Sequence, residues 1–272
     1  MSAWDSYWKN YWNWEKVFRK ITSEVYFSLI NEYCNSLDGK KIIELGCGTG
    51  LTSAKLAEYG ADVTLVDSSE DALRIAEKNF KTIGVEGRFI HGNVLDLLDS
   101  EFTNQFDIVF SEGLVEHFLG NERQKIFDIH SKLAKKNGMI FIAIPNIYNL
   151  PRRIISEFTD RVLNKENRIW INIPQEDLNS SELMDRMNSS GIKTTEITGV
   201  LFPLSHLTLF YLVGFFPFIP YLLFLLKIGP RLVNIEETGI KKDSLKRLMP
   251  LWGGRDFFNR TLGYEIVAIG RK

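Results

Sequence analysis

The sequence predicts an α/β chain: a doubly wound, mostly parallel seven-stranded sheet with a helical insert between its last two strands. Three observations carry that expectation. Short apolar runs rich in β-branched residues alternate with segments of helical spacing, the pattern of a parallel sheet covered by helices. The first strand runs straight into a glycine turn and a helix, in Lys41-Ile-Ile-Glu-Leu-Gly-Cys-Gly-Thr-Gly50. Thirty residues without a charged side chain, Ile197 to Leu226, then interrupt the alternation before the final strand.

Taken in order, residues 4–20 set Trp4, Trp8, Tyr11 or Trp12, and Glu15 at helical intervals, with Tyr7 and Trp14 alongside and Asp5 and Ser6 as helix-start residues. Such a helix either packs its aromatic residues on the domain or closes as a lid that excludes water. Residues 22–36 form a second helix, so that 1–37 is an N-terminal helical lid, and Asp38-Gly39 turns the chain into the first strand, Ile42 to Leu45. Leu51 to Tyr59 is helical, Val63 to Val66 is the second strand, and 69–82 is a helix capped by Ser68 or Ser69. The third strand includes Phe89 and Ile90, and the fourth is Phe106 to Phe110. A helix over 121–136 ends at Asn137-Gly138. The fifth strand, Met139 to Ile144, is apolar throughout, as expected of one buried on both faces. Residues 147–173 carry Arg152, Arg153, Lys165 and Arg168 and no clear strand. A helix from Pro174–Leu178 to Met187, a strand over 192–200 and a last strand over 261–270 complete the pattern. The cofactor-type domain thus spans 38–200 and 259–272, with an insert at 201–258.

With 272 residues, 44% of them apolar and 25% charged, the chain can bury a sizeable core. A net charge of −1 gives no ground for a nucleic-acid partner. The charge is uneven: from Lys227 onward ten Lys and Arg stand against five Asp and Glu. The two cysteines, Cys34 and Cys47, suit a reducing compartment, and the first residues lack the basic start and apolar core of a signal peptide. The expected location is the cytoplasm, or the periphery of the inner face of a membrane. No Cys, His or carboxylate cluster has metal-ligand spacing, so no metal is expected.

The glycine turn between strand and helix suits a nucleotide-like ligand, because glycine lets the backbone turn sharply and approach closely. Glu44 stands two residues before the first glycine, Asp67 ends the second strand where an acid meets ribose hydroxyls, and Asn93 follows the third. At these residues the chain resembles the class I S-adenosylmethionine-dependent methyltransferases, whose first motif, E-x-G-x-G-x-G, is matched in full by Glu44, Gly46, Gly48 and Gly50. The resemblance covers roughly residues 38–200 and the last strand. It implies a Rossmann-like methyltransferase fold whose last two strands pair antiparallel, with S-adenosylmethionine as cofactor. It places the backbone of Gly46, Cys47, Gly48 and Gly50 against the methionyl part and Glu44 in the polar network around the amino group. Asp67 accepts from the ribose, Ser68 lines the adenosine, Asn93 accepts from the adenine amino group and the backbone of Val94 faces the ring. Many relatives have Asp where Asn93 stands.

The loop Ser111-Glu-Gly-Leu-Val-Glu-His-Phe118 lies, by the same resemblance, where the methyl group is presented, and Ser111 is counted with the cofactor residues. His117, paired with Glu116, is the candidate general base, since its ordinary pKa lies near working pH; the alternative is a histidine that shapes the pocket. His91 and His130 read as structural, and His206 lies in the apolar insert.

Two other functions compete with methyl transfer to a small-molecule or lipid-like acceptor. A nicotinamide-dependent dehydrogenase would place glycine at 51, or glycine or alanine at 53, where Leu51 and Ser53 stand. A non-catalytic membrane-associated protein could keep the fold without turnover. The uncharged stretch, broken by Pro203, Gly214, Pro217 and Pro220, leaves a spanning helix, a membrane-dipping hairpin, and a buried cap or dimer surface open. A hydrophobic cap that admits an apolar acceptor is the expectation, with peripheral membrane contact or a homodimer formed through 201–258.

Overall fold

The computed structural model describes residues 3–9, 13–149, 175–200, 253–254 and 264–272. Its sheet is built from β1 (Lys41–Leu45), β2 (Asp62–Asp67), β3 (Arg88–His91), β4 (Phe106–Glu112), β5 (Ala134–Pro145), β6 (Lys193–Val200), β7 (Gly253–Gly254) and β8 (Glu265–Arg271). The spatial order is β3-β2-β1-β4-β5-β8-β6-β7. β1 to β5 run parallel, and β8 lies antiparallel between β5 and β6. These are the seven strands expected, with the last two paired as the resemblance implies. The two-residue β7 adds an edge pairing to Gly199 and Val200. It falls within the span expected to be a helical insert; the rest of that insert lies outside the described residues.

The helices are α1 (Ala3–Lys9), α2 (Asn13–Glu32), α3 (Leu51–Glu58), α4 (Glu70–Ile83), α5 (Gly120–Leu133) and α6 (Ser180–Ser189). Alternate strand residues feed two apolar layers. Ile42, Ile108, Phe110, Phe141 and Ile269 pack with Tyr26 and Ile30 of α2, Leu56 of α3 and Phe80 of α4. Ile43, Val109, Ile140 and Ile142 pack with Ile126 and Phe127 of α5 and Leu183 and Met187 of α6. Burial on both faces is why β5 reads as an unbroken apolar run.

Several helix boundaries differ from the expectation: α6 begins only at Ser180, where Asn179 caps it, and Gln175–Leu178 stay outside the helix expected to include them. Within the aromatic N-terminal segment, Ala3–Lys9 and Asn13 onward are helical as expected, and α2 runs on through the expected boundary at residue 21 to Glu32. α5 stops at Leu133 instead of 136, because Ala134 turns extended and pairs with Phe106 of β4. Strand pairing thus claims residues whose own propensity fits a helix. Asn137, at φ +64°, sits inside β5 next to Gly138, where a side chain would meet the carbonyl oxygen of Lys135 at 2.9 Å.

Candidate active site

The glycine turn opens at the C-terminal end of β1, at the topological switch point between β2 and β4. The carbonyl of Val66 accepts from the amides of Gly46 and Cys47 at 2.9 and 3.1 Å, and Gly50 N–H donates to Cys47 O at 2.8 Å. Gly46 and Gly48 have φ of +67° and +51°, a region in which other residues are strained. A Cβ on Gly46 would stand 2.8 Å from Leu114, and one on Gly48 2.8 Å from the Trp8 indole. Both neighbours are side chains from other elements. The turn is therefore covered at close range by side chains of α1 and of the loop after β4, and not by other backbone. The Cys47 thiol is buried and burial raises its pKa, so it stays protonated and lends the turn its backbone.

Asp67 anchors this turn from β2. Its Oδ2 accepts from Gly48 N–H and its Oδ1 from Ser69 N–H, each at 2.9 Å. Burial raises its pKa, while these backbone amides hold it down. Each carboxylate oxygen keeps a further acceptor site, so a ribose diol could still bind here. Ser69, not Ser68, is the N-cap of α4 and accepts from Ala72 N–H. Ser68 is exposed, and its carbonyl contacts His91 Nε2 at 3.1 Å. Asn93 caps a 3-10 turn over Val94–Asp99, its side-chain oxygen accepting from Leu95 N–H at 3.0 Å, and Val94 is buried beside it. Glu44 is sealed below the turn, where it accepts from the Ser53 hydroxyl at 2.5 Å. Burial lifts its pKa to about 8, against the Ser53 hydrogen bond and helped by Glu112 and Asp67.

The loop after β4 holds the other candidates. Glu116 is buried, and His117 Nε2 stands 3.9 Å from its Oε1, too long for a hydrogen bond. The imidazole lies edge-on to Trp4 at 4.9 Å between ring centres. The hydroxyl of Ser111 bonds to His130 at 2.9 Å, and its backbone lies in β4, paired with Leu45 and Ile142. α1 covers both halves of the site: Trp4 meets His117, Trp8 meets Gly48, and Asp5 accepts from the Ser69 hydroxyl at 2.9 Å.

Sequence reasoning missed the support from α2. Arg19 and Tyr26 on α2, and Tyr33 in the turn just past its end, are each seven residues apart, the spacing of one helical stripe. They reach three carboxylates on one sheet face: Arg19 to Glu112 at 3.0 Å, Tyr26 to Glu265 at 2.5 Å and Tyr33 to Glu196 at 2.5 Å. Arg19 also lies over the Trp8 ring at 5.9 Å, which ties the cover to the end of β4. The seven-residue spacing was visible, but strands far apart in sequence supply the acids.

A family described as "Methyltransferase domain" matches residues 36–190. The chain belongs to this family, the class I S-adenosylmethionine-dependent methyltransferases. Among curated relatives, "Ubiquinone biosynthesis O-methyltransferase, mitochondrial" of Schizosaccharomyces pombe is 30% identical over 163 residues, 57% of this chain and 58% of the relative. "Ubiquinone biosynthesis O-methyltransferase" of Rhizobium leguminosarum bv. trifolii is 31% identical over 176 residues, 62% of this chain and 66% of the relative. The chain thus spans about three-fifths of the length of these relatives. A Thermotoga maritima structure described as a "SAM-dependent methyltransferase, possible histamine N-methyltransferase" aligns with a TM-score of 0.55 at 17% identity, covering 95% of this chain and 94% of its own. Magnesium protoporphyrin IX methyltransferase of Synechocystis, solved with bound S-adenosylhomocysteine, aligns with a TM-score of 0.53 at 16% identity, covering 67% and 76%. These two similarities bear on the fold. The family's cofactor is S-adenosylmethionine, and the glycine cradle with Asp67 beneath it fits that cofactor. Among the described residues, no helix is long and apolar enough to cross a membrane.

Proposed function

We propose that this protein transfers a methyl group from S-adenosylmethionine to a hydroxyl of a small, apolar or lipid-like acceptor. The observation that carries the reading is the glycine turn held by Asp67 through Gly48 N–H, facing the Glu116–His117 loop under one helix, α1. The choice of oxygen is supported by the O-methyltransferase names of the two relatives.

When bound, the cofactor supplies a sulfonium methyl that is already electrophilic. The chain's own contribution is alignment, exclusion of water and management of one proton. Gly46, Cys47, Gly48 and Gly50 receive the methionyl part, Asp67 the ribose, and Ser68, Asn93 and Val94 the adenine end. Ser111 stands near the end of β4 beside them, held by His130. His117 takes the hydroxyl proton and the buried carboxylate of Glu116 supports the resulting imidazolium. α1 acts as the lid, with Trp8 moving off Gly48 to admit the cofactor. Exposed Leu119 and Tyr148, after the β4 loop and after β5, provide apolar surface at the same end of the sheet. The apolar then basic 201–258 stretch, nearly all of it outside the described residues, is the part proposed to cap the acceptor and to touch a membrane or a second copy.

Incubation with methyl-deuterated S-adenosylmethionine and pooled hydroxylated aromatics, amines and lipid extract tests the reading. Label in a hydroxyl-bearing apolar molecule is expected. Bound cofactor with no label transferred would make the protein non-catalytic, and label only in amines would overturn the choice of oxygen. Flotation with anionic liposomes tests the membrane contact; no flotation at low salt would remove it.

A further inference from the structure

α5 grips both ends of the loop that carries Glu116 and His117. At the first end, the Ser111 hydroxyl donates to His130 Nε2 at 2.9 Å, and His130 Nδ1 contacts the Ile126 carbonyl at 2.7 Å. A carbonyl only accepts, and burial lowers the imidazole pKa to about 4, so the neutral ring carries its proton on Nδ1 and accepts at Nε2. At the second end, Arg123 Nε–H donates to the Phe118 carbonyl at 2.7 Å. Its Nη2 donates to the Glu176 carbonyl at 2.9 Å, and Glu176 N–H donates in turn to the Glu116 carbonyl at 2.9 Å. Arg123 and His130 are both buried, and a separation of seven residues puts them on one stripe of α5.

These groups are costly to bury unless bonded, and their bonds go to the loop and to the strand end that launches it. The Arg123 guanidinium spans two carbonyls with separate nitrogens, which the ammonium of a lysine cannot reproduce in that geometry. The carboxylates of Glu176 and Glu182, at 3.0 and 3.7 Å, balance its charge from the side of α6. Neither Arg123 nor His130 belongs to the glycine turn or to the Asp67 network.

We propose that Arg123 and His130 are positioning residues for methyl transfer. They fix Glu116 and His117 against the cofactor cradle by holding the loop at Ser111 and Phe118. The proposal rests on the methyl-transfer reading above. It makes the loop a preformed part of the site, with its order supplied by α5 and not by the ligand.

The test compares Arg123→Met, Arg123→Lys and His130→Gln in the full chain with Phe80→Leu, a core substitution on the opposite sheet face, after matching by melting temperature. Amide hydrogen exchange over residues 113–118 is the first readout, and affinity for S-adenosylhomocysteine by calorimetry is the second. Exchange in the loop is expected to rise about tenfold above the Phe80→Leu control, as local opening without global unfolding. Affinity is expected to stay within about twofold, and turnover in the deuterium-transfer assay to fall about 10²-fold, the scale of a small misplacement of reacting groups. Arg123→Lys is expected to behave like Arg123→Met. Loop exchange equal to that of the control, or affinity lost in step with turnover, would overturn the proposal. If wild type fails to bind S-adenosylhomocysteine, the function reading fails, while the exchange comparison still judges the grip of α5 on the loop.

Discussion

Glu44 links the stability of this fold to pH. Its carboxyl lies sealed under the glycine turn against Ser53, and burial drives its pKa up to about 8 from a reference of 4.5. Between those two values the folded chain holds a proton that the unfolded chain has released. The unfolded state then binds fewer protons, so stability is fullest below pH 4.5 and is lost as pH rises through about 8. At about 1.4 kcal/mol per pH unit, the loss over the window has a ceiling of roughly 5 kcal/mol. Glu44→Gln keeps an amide oxygen for Ser53 and cannot ionise, so its stability should be flatter across the window. Urea unfolding of both proteins from about pH 5 to about pH 9 measures the difference. Burial also raises the carboxyls of Asp67 and Glu112, and both remain in the variant, so the difference between the two profiles reports Glu44 together with its coupling to those two groups. Parallel profiles, within about 0.5 kcal/mol, would refute the reasoning.

Asp67→Ala should weaken S-adenosylmethionine binding by about 1–3 kcal/mol, because Gly48 N–H and Ser69 N–H lose their acceptor together with the ribose; unchanged affinity by calorimetry would remove Asp67 from the site. Gly48→Val combines a positive φ with a Cβ 2.8 Å from Trp8, so it should abolish binding and lower stability by about 1–3 kcal/mol. A folded Gly48→Val protein that still binds would place the cofactor elsewhere. His117→Ala should leave cofactor affinity intact and lower turnover by about 10²–10⁴-fold if the imidazole takes the proton. A rate within a few-fold of wild type would reduce His117 to a residue that shapes the pocket.

What could be read in the sequence was local. The spacing of apolar residues marked all seven main strands, because a parallel strand buried on both faces needs an apolar run wherever it stands. Glu44, the three glycines and Asp67 were legible because a tight turn between strand and helix demands particular residue types at fixed offsets. The sequence also marked the aromatic N-terminus, but not what its rings meet: Gly48 lies under Trp8 and His117 beside Trp4. Helix α5 likewise gave up Ala134 to pairing with Phe106, since a strand neighbour can outweigh helix propensity. Only the tertiary structure showed that His130 holds Ser111, that Arg123 spans Phe118 and Glu176, and that Arg19, Tyr26 and Tyr33 meet acids on β4, β8 and β6. Those partners are up to 239 residues apart in the chain. A hydrogen bond at such separation leaves no periodic mark on the sequence; the order of strands in the sheet brings its two ends together.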